Sequence, residues 1–110
     1  MIVRVLTARV RSERAGAADS GSRQQLPILR EQPGLVYVKL ARNVGPTHEE
    51  IVLFEEWRDT AALYAWAGQE IIRPRLLPGT EELVDDLVIA HYEALDVDPD
   101  ADVDPGMESP

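Results

Sequence analysis

At 110 residues and 45% hydrophobic, the chain has material for one domain and too little for two with separate cores. It has no cysteine, which excludes disulfides, thiolate catalysis and cysteine-ligated zinc and fits a cytoplasmic protein. The net charge of −9 argues against nucleic acid or an anionic membrane as partner, and no apolar run approaches a membrane span.

The elements follow in chain order. "IVRVLTARV", residues 2–10, is β-branched and reads as a first strand. Arg4 and Arg9 interrupt its apolar run, and no small-residue cleavage site follows, so it is not a signal peptide. Ser12 is expected to cap a first helix reaching about Gln32, where "PGL" ends it. The first half of that helix, "AGAADSGS", is nearly all small, and Gly16 and Gly21 each cost about 1 kcal/mol against alanine. Pro27 is expected to bend or divide it.

"LVYVKLARNV", residues 35–44, is a second strand, and "GPTHEE" carries turn chemistry. "IVLFEEW", residues 51–57, is a third strand, antiparallel to the second. Asp59 is a good N-cap for "TAALYAWA", which Gly68 ends, and Leu63, Trp66 and Ala67 share one face of it. "QEIIR" suggests one more helical turn before "PRLLPG", and "DLVIAHYEAL", residues 86–95, is a fourth strand. Residues 96–110, "DVDPDADVDPGMESP", hold six acids and no base and read as a disordered acidic tail beyond a domain of residues 1–95. A calcium loop fails there, because the places for Gly and Glu hold Ala101 and Met107.

The order β-α-β-β-α-β predicts an α+β, ferredoxin-like fold with an antiparallel sheet. "IVLF", "LVYV" and "LVIA" are apolar on both strand faces, whereas a sheet covered on one side alternates. Two helices cover one face only. The other is expected to meet a second copy, giving a homodimer through sheet faces.

With "QPGLVYVKL" leading into the second strand and "LFEEWRDTAALYAW" crossing from the third strand into the second helix, residues 1–95 resemble the antibiotic biosynthesis monooxygenase family. The resemblance implies a dimeric α/β barrel. It leaves the reaction open, because members range over cofactor-free oxygenation of aromatic polyketides and quinols, heme degradation and isomerisation of a small signalling molecule. In the heme-degrading branch, a tryptophan on the second helix is joined by an asparagine on the first strand and a histidine about ten residues downstream. Here those two places hold Ala8 and Leu76, so no heme and no other cofactor is expected.

Candidate site residues each carry two readings. Trp66 is either core or, as the resemblance implies, the aromatic wall of a cleft between helices and sheet. Ala15, Ala18 and Gly21 leave volume that can form one side of that cleft, with Tyr37 as a further ligand contact. His91, within the fourth strand, is an acid/base candidate or a packed histidine, and alone it makes no metal site. Arg73 and Arg75 can steady an anion or pair with Glu81 or Glu82. Glu55 and Glu56 are the remaining base candidates, and Trp57 is expected to pack structurally. No nucleophile elbow, P-loop or dinucleotide fingerprint is present.

The function these features imply is a cofactor-independent monooxygenase acting on a small phenolic, quinol or polyketide-type substrate. The alternatives are a non-catalytic binder of a small apolar or aromatic ligand, and a heme-binding or heme-degrading protein.

Overall fold

Four apolar, β-branched segments build a four-stranded antiparallel sheet in a computed structural model that describes residues 1–68 and 81–95. Strands β1 (Ile2–Arg11), β2 (Leu35–Val44), β3 (His48–Trp57) and β4 (Asp86–Glu93) lie in the order β2-β3-β1-β4. Helices α1 (Ala15–Arg30) and α2 (Thr60–Ala67) connect β1 to β2 and follow β3, which is the α+β ferredoxin-like arrangement. The expected "QEIIR" turn, Arg73, Arg75 and the acidic tail lie outside the described residues. Among the described residues no helix is long and apolar enough to cross a membrane.

One sheet face carries the core in two clusters. Leu29, Trp57, Ala62, Leu63 and Trp66 pack together beneath α2, while Val10, Ala15, Ala18 and Ile51 pack beneath the start of α1. Trp57 and Leu29 have no exposed surface. The turn from β3 into α2 is fixed locally. The Asp59 carboxylate accepts the Ala62 N–H at 2.8 Å, satisfying one of the donors that a helix start leaves open. Gly34 has φ +85°, and an added Cβ there would run into the Ala62 side chain. Its carbonyl accepts the Arg58 N–H at 2.7 Å, so the chain before β2 clamps the start of α2.

Three expectations are corrected. Ser12 does not cap a helix: a 3-10 turn, Ser12–Arg14, precedes α1, and no side chain caps either. Its N–H instead donates to the Thr47 carbonyl at 3.0 Å, tying the end of β1 to the β2–β3 hairpin. Pro27 does not divide α1, which runs unbroken to Arg30. It sits within a turn of the helix end, so the missing N–H costs a single bond, and buried Leu29 holds the last turn to the core. β3 begins at His48 rather than 51, because the hairpin loop needs only Gly45–Thr47.

No other described residues cover the opposite sheet face. Val3 and Val5 of β1, Val52 and Phe54 of β3, and Val88, Ala90 and Tyr92 of β4 point there by strand alternation. Val88 is 55% exposed and Tyr92 58%. Among the described residues nothing shields this apolar strip from water.

Trp57→Ala is expected to cost about 3–5 kcal/mol in urea denaturation. Gly34→Ala should also destabilise, since it combines an unfavourable backbone conformation with a clash against α2.

Candidate functional site

The core-facing residues of β1 alternate as Ile2, Arg4, Leu6, Ala8 and Val10, so strand periodicity carries a guanidinium into the interior. The register then sets a polar row across the sheet. Arg4 lies opposite Glu55 of β3 on one side and His91 of β4 on the other. Arg4 and Glu55 are each only 1% exposed, and Arg4 Nη1 stands 3.7 Å from Glu55 Oε1. The indole N–H of Trp57 donates to the same Oε1 at 3.0 Å.

Burial dominates the electrostatics of this row. It pushes the Glu55 carboxyl above the usual carboxylate range, against the opposing pull of the Arg4 cation and the Trp57 N–H. It also lowers the affinity of Arg4 for its proton, with Glu55 opposing. His91 is held below its ordinary value first by loss of water and then by the Arg4 charge. Its Nε2 is buried without a hydrogen-bond partner among the described residues.

Directly above the row, between sheet and helices, is a cavity of about 40 Å³. Its walls are mainly apolar, from Leu6, Ala8, Ile51, Leu53 and Leu87, with Trp66 of α2 and Ser22 and Gln25 of α1 closing it from above. Arg4 and Glu55 form its polar floor. The space suits a water or a single hydroxyl rather than a whole aromatic ring. A ring-sized ligand requires the sheet and the helices to part, and Gly16, Gly21 and Pro27 lower the intrinsic helix propensity of α1. Apolar walls around one buried ionic pair can hold a single small polar group and exchange a proton with it.

The structure brings some of the sequence candidates to this cavity and leaves others away from it. Trp66 lines it while also belonging to the α2 core cluster. Trp57 lies beneath, contributing its N–H to Glu55. His91 shares the cavity side of the sheet beside Arg4 but is not part of the wall. Ala15 and Ala18 are packed in the second core cluster instead, and Ser22 and Gln25 rather than Gly21 supply the α1 wall. Tyr37 is on the other sheet face, 49% exposed. A bulge between Leu35 and Tyr37 is responsible: Leu35 pairs with Trp57 and Tyr37 with Glu56, so one inserted residue turns the tyrosine away from the cavity. Glu56 follows it to that face.

Sequence reasoning missed Arg4 and Gln25. The signal for Arg4 was present, as a charge in the same strand phase as Ile2, Leu6 and Val10. Among the described residues no group of three or more histidine, aspartate or glutamate side chains is placed to hold a metal.

A ferredoxin-like sheet with its cavity under two helices is a framework shared by many chemistries. A sequence model of the antibiotic biosynthesis monooxygenase family matches residues 1–73, and the chain belongs to that family. A Deinococcus radiodurans protein is similar in structure, with TM-score 0.69 at 21% identity over 88% of this chain and 95% of its own. A Mycobacterium tuberculosis protein gives 0.69 at 18% identity, covering 87% and 96%. One from Pseudomonas aeruginosa gives 0.67 at 22%, covering 86% and 94%. At such identities the likeness extends to the fold. No curated protein matches the sequence.

The depressed His91 sets a pH dependence. Its folded value lies below the ordinary 6.5, so the stability it contributes is complete above that value and is lost as pH falls through the folded one. His91→Gln should therefore lose less stability than the wild type between about pH 7.5 and about pH 5 in urea titrations.

Proposed function

We propose that the protein is a cofactor-independent monooxygenase acting on a small phenolic, quinol or polyketide-type substrate in the cleft between helices and sheet. The observation that carries this reading is the cavity itself, with apolar walls, the Trp66 indole on one side and a buried ionisable pair on its floor. Family membership supports the reaction class. Removal of a substrate proton gives a carbanion in a site shielded from water. Its carbon bonds to dioxygen, the peroxide formed takes up a proton, and loss of water leaves a carbonyl. One oxygen atom ends in the product and one in water, so substrate carbon is oxidised and dioxygen reduced without an added reductant. Trp66 forms the wall, His91 handles the proton, and Arg73 or Arg75 steadies the anion. A cytoplasmic location accords with the cysteine-free composition.

The test is oxygen uptake with an anthrone-type polyketide and a hydroquinone, with labelled dioxygen followed into the product. One dioxygen consumed per substrate and label in the new carbonyl are expected. Trp66→Ala should lower kcat/KM by about tenfold, the equivalent of about 1.4 kcal/mol of transition-state contact. Tight binding of these compounds with no oxygen uptake would instead favour the second reading, a non-catalytic binder of a small aromatic ligand. Heme is disfavoured by the small volume of the cavity and by Ala8, which lines it from β1.

The working unit in this proposal is a homodimer joined through the open sheet faces. The support is the apolar strip around Val5, Phe54, Val88 and Tyr92, which the described helices α1 and α2 leave uncovered. Light scattering is expected to give twice the chain mass at micromolar concentration, and Val88→Glu to shift the protein toward monomer. A monomeric wild type would refute the dimer.

A further inference from the structure

The cavity under α1 and α2 measures about 40 Å³, more than the roughly 10–15 Å³ that one water requires and far less than a ring. A molecule of two heavy atoms matches it. Size does not choose between water and an apolar diatomic, but the lining does. A buried water needs about two to four polar partners. The polar groups around this space are already engaged. Ser22 Oγ donates to the Ala18 carbonyl at 2.9 Å, within its own helix. Glu55 Oε1 accepts the Trp57 N–H at 3.0 Å and faces Arg4 Nη1 at 3.7 Å. Arg4 and Gln25 have further interactions of their own within the chain.

The rest of the wall is hydrocarbon and indole, and strand register builds it. Ala8 of β1 stands between Ile51 of β3 and Leu87 of β4, and in the next core-facing row Leu6 stands beside Leu53. The small side chain of Ala8 between two larger ones leaves a hollow, which Trp66 faces from α2.

We infer that this hollow is a seat for dioxygen, held apart from the position of the organic substrate. The inference rests on the monooxygenase reading above and says where the oxidant of that reaction waits. Dioxygen has no net dipole and is a poor hydrogen-bond acceptor. It gains chiefly dispersion contact, which hydrocarbon walls supply without any polar partner. Apolar cavities accept such guests, xenon among them, where water finds too few partners. The organic ring takes the space made when sheet and helices part, so the two reactants sit in adjoining parts of one cleft. The Arg4–Glu55 pair stays paired beneath and is no ligand to the gas. The balance is the one given above: one oxygen atom bonds to the substrate carbanion and the other leaves as water.

The experiment uses the full chain with labelled leucine and isoleucine methyl groups, and xenon and dioxygen under pressure as probes. Xenon is expected to shift the methyl resonances of Ile51, Leu53 and Leu87 saturably. Dioxygen, which is paramagnetic, should broaden the same signals more than those of Leu29 and Leu63, which are buried in the α2 cluster. Ala8→Val suits a strand and fills the hollow, so it should abolish the shift and the selective broadening. In turnover it should raise the KM for dioxygen about threefold or more and hold the KM for the organic substrate within about twofold. If Ala8→Val fails to fold, the contrast among wild-type methyls decides. Absence of a xenon shift, even broadening of all buried methyls, or a long-lived water beside Leu53 that persists under gas pressure would each overturn the inference. So would a folded Ala8→Val that keeps the contrast or the wild-type KM for dioxygen. Oxygen uptake with even broadening would remove the dioxygen seat and leave the monooxygenase reading standing. Selective broadening with no uptake on any organic substrate would remove that reading and leave the seat.

Discussion

The structure is organised around one buried ionic contact, Arg4 against Glu55, with the Trp57 indole N–H fastening the carboxylate from below. Removing either partner alone would leave an uncompensated charge in the interior, which costs more than the pair contributes. The contact interrupts an otherwise apolar face, with Ile2 and Trp57 in the row on one side and Leu6 and Leu53 in the row on the other. The cavity lies directly over this polar row.

That arrangement connects stability to function through the same residues. Trp57 is a core side chain that also orients a carboxylate, and Trp66 is a core side chain that also walls the cavity. The division of labour expected between the two indoles is therefore less sharp than their separate elements suggest. Both are packed; they differ in what their edges meet. α1 supplies the side with the lowest helix propensity. Its glycines and Pro27 leave a helix held mainly by Ala15, Ala18, Gln25 and Leu29 against the sheet.

The sheet has two working faces. One carries the helices, core and cavity, and the other carries Val3, Val5, Phe54, Val88 and Tyr92 with no cover from the described residues. The hairpin end is fastened by polar contacts, with His48 Nε2 3.3 Å from Asp85 Oδ2 and Arg11 Nε 3.9 Å from the same oxygen. These exposed pairs contribute little energy and serve chiefly to hold the β2–β3 hairpin near the start of β4.

Local patterns in the sequence were enough for the order of elements, the two-sided apolar strands, the Asp59 cap and the Gly68 stop, because each depends on residues a few positions apart. The family was legible for the same reason, in the short stretch across β3 and α2. The site was legible only in part. Trp66 and Glu55 were visible as candidates, but their meeting depends on register between β1 and β3 and on how α2 lies over the sheet. Arg4 belongs to the floor because it pairs with a residue 51 positions away in the chain, a relation that no local window contains. Tyr37 shows the converse: periodicity from Leu35 places it on the cavity side, and a single bulged residue reverses it. Local chemistry determined which elements form; strand register and one bulge decided which side chains meet.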